Sequence, residues 1–133
     1  EFAHTYFNEI SVGIDFTARD LQENCKKKGL PWEISKAFDF SSPVGKFIDK
    51  KSIDNINEID FHLEINGNTV QKGNSKDMIF DFETIISYVS QFVTLKIGDL
   101  IFTGTPSNVG KVNIGDNLKA FINNQCLLSI NIK

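Results

Sequence analysis

Cysteine is scarce in this chain, and its two residues, Cys25 and Cys126, lie far apart. They match neither a zinc-ligand spacing nor a CxxC redox motif, which excludes a structural zinc centre and a thioredoxin-like site built on cysteine. They read as two free thiols in a reducing cytosol, so a cytoplasmic protein is expected. Long hydrophobic runs are also lacking. None approaches the roughly 18 residues that a membrane-spanning helix requires, and no stretch reads as a signal peptide. Charge of one sign is not in excess: the net charge of -3 is too mild for a general nucleic-acid surface, and no nucleic-acid partner is expected. Internal repeats and low-complexity linkers are missing as well.

What is present is the material of one domain, expected over residues 1–133. Apolar residues make up 41% of the 133, enough for a packed core. Phenylalanine is abundant, twelve against one tryptophan and two tyrosines, and most of these rings are expected in the core. Residues 59–65 alternate apolar and polar with period two, as does the run after Asn66-Gly67, an Asn-Gly hairpin signal. Residues 99–103 read as a short apolar strand, and residues 119–122 and 127–132 as a pair around Asn123-Asn124. A helix is expected from Asp81 or Ser75 onward, with Phe82, Ile85, Ile86, Val89 and Phe92 on its apolar face. A second helix runs from Thr17 or Ala18 to Lys28 and closes at Gly29. Its Lys26-Lys27-Lys28 run then lies in the last turn, where the helix dipole favours cations. Residues 2–9 read as a polar helical segment. The chain opens on Glu1 without a methionine and is expected to be the C-terminal part of a longer protein. The fold class is mostly β with a few helices.

The chemistry concentrates at residues 13–22, GIDFTARDLQ. Asp15 ends a short apolar run, and Arg19, Asp20 and Gln22 follow within two helical turns. A strand that delivers a carboxylate and a turn that delivers donors make a metal-plus-anion pattern, because divalent cations want hard oxygens and carboxylates want forked or amide donors. The alternative for Asp15 is a cap on the following helix, and for Arg19 a structural ion pair. Spacing places Arg19 and Gln22 on one helix face. Lys36 follows the rigid Gly29-Leu30-Pro31-Trp32 loop; its alternative is a surface lysine. In Gly104-Thr105-Pro106, the glycine permits close approach of a ligand and Thr105 offers a hydroxyl and an amide. Asp99 and Asp116 read as turn residues. His4 and His62 read as bystanders.

Four segments in order, GIDFTARDLQ at 13–22, KGLPWEISKAFDFSSPVG at 28–45, residues 73–101, and FTGTPSNVGKVNIGD at 102–116, resemble the fumarylacetoacetate hydrolase family. The resemblance implies a mixed β-sandwich or roll of that family's C-terminal domain type, incomplete at its N-terminus, and a homodimer. It implies that Asp15 is a ligand of Mg2+ or Mn2+, that Arg19 and Gln22 line the substrate pocket, and that Lys36 points at the substrate's carbonyl oxygens. Thr105, with Gly104, binds the substrate carboxylate. An ammonium beside a developing enolate lowers the barrier electrostatically. The implied activity is metal-dependent hydrolysis or decarboxylation of small β-dicarbonyl or α-keto acids. The alternatives are an isomerase or tautomerase of unsaturated dicarboxylates, and a non-catalytic binding fragment. In the family two further metal ligands lie in an upstream Glu-x-Glu strand, and the catalytic His and its Glu partner lie upstream too; residues 1–133 contain no match to either. Asp15 alone does not hold Mg2+ tightly, so those ligands are expected in the upstream part of the protein.

Overall fold

The structure, a computed structural model, describes residues 2–133. The described residues form β1 (Glu9–Ile10), α1 (Arg19–Lys28), β2 (Ile48–Asp49), β3 (Asp60–Ile65), β4 (Asn68–Asn74), α2 (Phe82–Val89), β5 (Asn117–Ile122) and β6 (Gln125–Asn131). The fold is mostly β, with two antiparallel sheets. The chain separates into two compact units: Gly13–Val44, and residues 2–12 together with Gly45–Lys133.

In the larger unit the main sheet runs β4-β3-β5-β6, and β1 pairs with β2. The β3–β4 hairpin turns on Asn66 and Gly67, whose φ values of 52° and 79° are the two positive dihedrals that a type I′ turn demands. Asn66 is held at both ends of its amide. It accepts the Asn117 N–H at 2.9 Å and donates to Asp116 Oδ1 at 2.8 Å, which fastens this turn to the start of β5. Along β5, Leu118, Ala120 and Ile122 are buried at alternate positions, the period of a strand with one face on a core.

β6 carries a bulge. Ala120 faces Leu128 and Phe121 faces Cys126, so Leu127 is the extra residue, and Leu127 and Leu128 are both buried despite being neighbours. A bulge kinks a strand and re-aims the inserted side chain; here it turns Leu127 onto the cluster of Ile59 and Ile122, flanked by Ile10, Ile48 and Phe61. The Leu127 carbonyl then accepts the Lys46 N–H at 2.8 Å. Gly45 passes so close that a Cβ there would stand 2.8 Å from the same oxygen, which leaves no space for a side chain.

The end of α1 and the start of α2 are set by local chemistry. α1 ends at Gly29 with φ 64°, its N–H returning to Cys25 and Lys26, the αL closure expected of this glycine. α2 is capped by Asp81, whose carboxylate accepts the Thr84 N–H at 2.7 Å. Ser75, the other candidate cap, is buried elsewhere: its hydroxyl accepts from the Ile59 N–H and donates to the Ile56 carbonyl. Phe82 meets Phe7 at a centroid distance of 6.1 Å.

Several expectations are corrected. Residues 2–9 make only a 3-10 turn, Ala3–Thr5, before β1, because Glu9 and Ile10 are captured by Asp49 and Ile48 across the ladder. Residues 99–103 form no strand; Asp99 closes a turn by accepting the Lys96 N–H, and the apolar run finds no partner edge among the described residues. Phe92 lies beyond the end of α2 and is exposed, its ring tilted against that of Tyr88 at a centroid distance of 5.2 Å. None of the twelve phenylalanines is fully buried, and seven of them are exposed. Residues 90–116 form no helix or strand, so their apolar side chains have little of this chain to pack on. No helix of the described residues is long and apolar enough to cross a membrane.

Hydrogen bonds from the Thr84 side chain, then its amide, hold the Asp81 carboxyl below the usual carboxylate range. Folding therefore favours the ionised form. That contribution is complete above the unfolded-state pKa and disappears as pH falls through the lowered folded value. Asp81→Ala is expected to lower stability by about 1 kcal/mol at neutral pH, with the gap to the parent closing on acidification. Urea unfolding at neutral and acid pH checks this; an unchanged midpoint at neutral pH contradicts the cap.

Candidate functional site

The smaller unit, Gly13–Val44, is an antiparallel ribbon with a helix hung from it. Gly13 and Val44 form a bridge. The Ile14 N–H donates to the Pro43 carbonyl at 3.0 Å, Phe16 to Ser41 at 2.8 Å and Ala18 to Ser35 at 3.0 Å. Alternate residues of the outgoing arm thus bind the returning arm, and Asp15 and Thr17, two apart, lie on one side of it. Lys36 arrives on the returning arm after a 3-10 turn, Glu33–Ser35. Its anchor is Ser35, fully buried, whose hydroxyl bonds to the Trp32 carbonyl at 2.5 Å.

This brings three polar side chains together. Lys36 Nζ donates to Asp15 Oδ2 at 2.6 Å and to Thr17 Oγ1 at 2.8 Å, and the Thr17 hydroxyl donates in turn to the Asp15 carbonyl at 3.2 Å. The Lys36 and Asp15 side chains keep 34% and 43% of their exposure, so both are open to solvent. Asp15 therefore does not cap α1: none of the described residues places a side-chain cap there. Lys36 is not a free surface lysine either.

Arg19 and Gln22 stand one turn apart on α1, with Arg19 Nη1 donating to Gln22 Oε1 at 3.1 Å. The donor fixes which end of the Gln22 amide is oxygen and leaves its NH2 as the end able to donate outward. Gln22 is 5% exposed and packs on the same helix face as Cys25, at 3%, whereas Arg19 is exposed. The alternative reading of Arg19, a structural ion pair, is not what forms: its partner is this neutral amide.

Thr105 and Gly104 belong to the larger unit. Gly104 has φ 108°, a conformation closed to residues with a Cβ, and Thr105 is exposed. Gln71 of β4 reaches across to this turn, its Nε2 lying 3.2 Å from Thr105 Oγ1. Asp116 closes its own turn on the Asn113 N–H at 2.8 Å, as its position predicts.

Thr17 and Gln71 were missed from sequence. Thr17 carried a usable signal, since a residue two past Asp15 in an extended arm shares its side. Gln71 carried none, because its partner lies more than thirty residues away in the Thr105 turn. Among the described residues no three His, Cys, Asp or Glu side chains converge as a metal would require. Asp15 offers one hard-oxygen donor, so the residues present fit a divalent cation in part only.

The ribbon gathers a carboxylate, an ammonium and a hydroxyl in mutual contact. Comparison with known proteins gives the family. The model described as fumarylacetoacetate (FAA) hydrolase C-terminal matches residues 2–132, and the chain belongs to this family. It is 42% identical over 131 residues to oxaloacetate tautomerase FAHD1, mitochondrial, of Mus musculus, covering 98% of this chain and 59% of that protein. It is 42% identical over 120 residues to oxaloacetate decarboxylase, mitochondrial, of Dictyostelium discoideum, covering 90% and 55%. A crystal structure of fumarylpyruvate hydrolase from Pseudomonas aeruginosa in complex with Mn2+ and pyruvate superposes with a TM-score of 0.91 at 34% identity, covering 98% of this chain and 56% of that one. The chain thus spans about half the length of the curated relatives it matches.

The cytoplasmic expectation is overturned, because both of these relatives are named mitochondrial. Free thiols and the lack of a long apolar run speak to redox state and membrane spanning, and neither distinguishes one reducing compartment from another.

Both cysteines are free, Cys25 buried and Cys126 exposed. Labelling with a thiol reagent is expected to modify Cys126 in the native protein and Cys25 only on unfolding. Rapid native modification of Cys25, read by mass spectrometry, would contradict the packing of α1.

Proposed function

We propose that the protein acts on small α-keto or β-dicarbonyl acids of the oxaloacetate or acylpyruvate type, by hydrolysis or decarboxylation through an enolate. The observation that carries this reading is the Lys36 ammonium, held at 2.6 Å by Asp15 and 2.8 Å by Thr17 on a side open to small molecules. An enolate oxygen gains charge as the reaction proceeds, and a fixed cation aimed at that oxygen lowers the barrier more than the ground state. Lys36 has three N–H groups and two acceptors here, so its third is directed at substrate. Within its own unit the Gln22 NH2 is offered to a substrate oxygen, with Arg19 orienting Gln22; in the larger unit the Thr105 hydroxyl is offered to a substrate carboxylate, as the family resemblance implies.

A divalent cation, Mn2+ or Mg2+, would be held by Asp15 together with ligands from the upstream Glu-x-Glu strand that the family resemblance implies. When bound, it supplies Lewis-acid polarisation of the substrate oxygens. The Mn2+ and pyruvate in the Pseudomonas aeruginosa relative support this reading. Keto–enol tautomerisation is the second reading, favoured by the name of the Mus musculus relative. It shares the enolate and differs in how that enolate arises: tautomerisation forms it by losing a proton next to the carbonyl, whereas decarboxylation forms it by breaking the C–C bond to the departing CO2, whose electron pair stays on the enolate.

In the whole protein, Lys36→Met is expected to lower kcat on oxaloacetate by about a hundredfold or more, with Mn2+ binding retained. Asp15→Ala is expected to lose Mn2+ binding, followed by electron paramagnetic resonance, together with turnover. Pyruvate release and loss of the enol absorbance separate decarboxylation from tautomerisation. Full activity in both variants would refute the site.

A further inference from the structure

Gln71 stands out as a half-buried polar side chain that the chemistry above leaves unused. It lies on β4 beside a bulge: Leu63 faces Gln71 and Glu64 faces Thr69, so Val70 is the inserted residue. A bulge re-aims the side chains next to it, and Gln71 is aimed at the turn that bears Thr105. Its Nε2 lies 3.2 Å from Thr105 Oγ1, 3.2 Å from the Pro106 carbonyl and 3.3 Å from the Ser107 carbonyl. Two of these three are backbone carbonyls, which only accept, and they fix the amide with its NH2 toward the turn. The same strand makes room for the turn two residues on. A Cβ at Gly73 would stand 3.1 Å from Pro106 Cβ and 2.6 Å from the Phe61 ring, so Gly73 and Gln71, on one face of β4, seat Pro106 and bind its neighbours.

The turn has few bonds of its own. Among the described residues, no backbone–backbone hydrogen bond involves residues 100–112. We infer that Gln71 is the positioning residue of the Thr105 turn: its amide holds the Thr105, Pro106 and Ser107 oxygens and leaves the Thr105 hydroxyl proton directed at a substrate carboxylate. A threonine hydroxyl has one proton. When its oxygen accepts from Gln71, that proton is donated elsewhere. This inference rests on the proposed carboxylate role of Thr105.

The test uses the whole protein with oxaloacetate as substrate. Gln71→Glu keeps the size and replaces the donor by an acceptor that faces three oxygens. It is expected to raise KM about tenfold while kcat moves by less than about threefold, the pattern of lost ground-state binding. Thr105→Val is expected to do the same, and the double variant to be no worse than the worse single one, since both remove one contact. Hydrogen exchange of the amides of residues 103–109 is expected to quicken in Gln71→Glu, with β3 and β5 unchanged, and Gln71→Leu serves where the glutamate variant fails to fold. If Thr105→Val raises KM and neither Gln71 variant does, the positioning role is overturned and the Thr105 role stands. If Thr105→Val leaves KM unchanged, the carboxylate role falls and the inference with it.

Discussion

A lysine ammonium sits at the end of four flexible methylenes, and the proposed enolate chemistry requires a charge that is already in place. The contact on which this site depends is therefore the double anchorage of Lys36 Nζ, on the Asp15 carboxylate and the Thr17 hydroxyl. That anchorage depends in turn on the backbone ribbon that sets residues 14–18 against residues 35–43. An exposed ion pair alone contributes little to stability, because solvent screens it and the side chains lose entropy. Its value here is geometric: two acceptors restrict an ammonium that would otherwise sweep a large volume.

Fold and site were legible in the sequence wherever a local rule sufficed. Asn66-Gly67 announces a hairpin because only that kind of pair takes two positive φ angles cheaply. Gly29 and Asp81 mark helix ends because one tolerates αL and the other accepts an orphan amide. Features decided by distant partners stayed hidden. The run at 99–103 has strand-like residues, yet strand identity needs an edge to pair with, and the chain closes a turn at Asp99 instead. The pairing of Glu9 and Ile10 with Asp49 and Ile48 spans almost forty residues, and no periodicity in a segment of this length discloses it. The bulges at Val70 and Leu127 each change a register by one residue, which a binary pattern does not resolve.

The site residues divide in the same way. Asp15, Lys36, Arg19 and Gln22 stood out because their motif order resembles a family. Thr17 and Gln71 emerged only from contacts. Both are uncharged residues that hold another functional group, and such supporting residues carry no composition signal because serine, threonine and glutamine are common everywhere on protein surfaces. The relatives of this chain are named for tautomerisation, decarboxylation and hydrolysis, so membership of the family does not by itself single out one reaction.

The ribbon also has a consequence for how this segment tolerates change. Its arms close on themselves at Ala18 and Ser35, so the span that carries α1 and the loop behind it is an excursion with a fixed mouth. Enlarging such an excursion costs closure entropy that grows only with the logarithm of its length. Residues added after Cys25, such as a further turn of helix, would lengthen the arc and leave the distance across its mouth unaltered. The spacing of Asp15 from Lys36 is thus insulated from the length of chain that separates them, and in an engineered version this arc is the place to graft new surface.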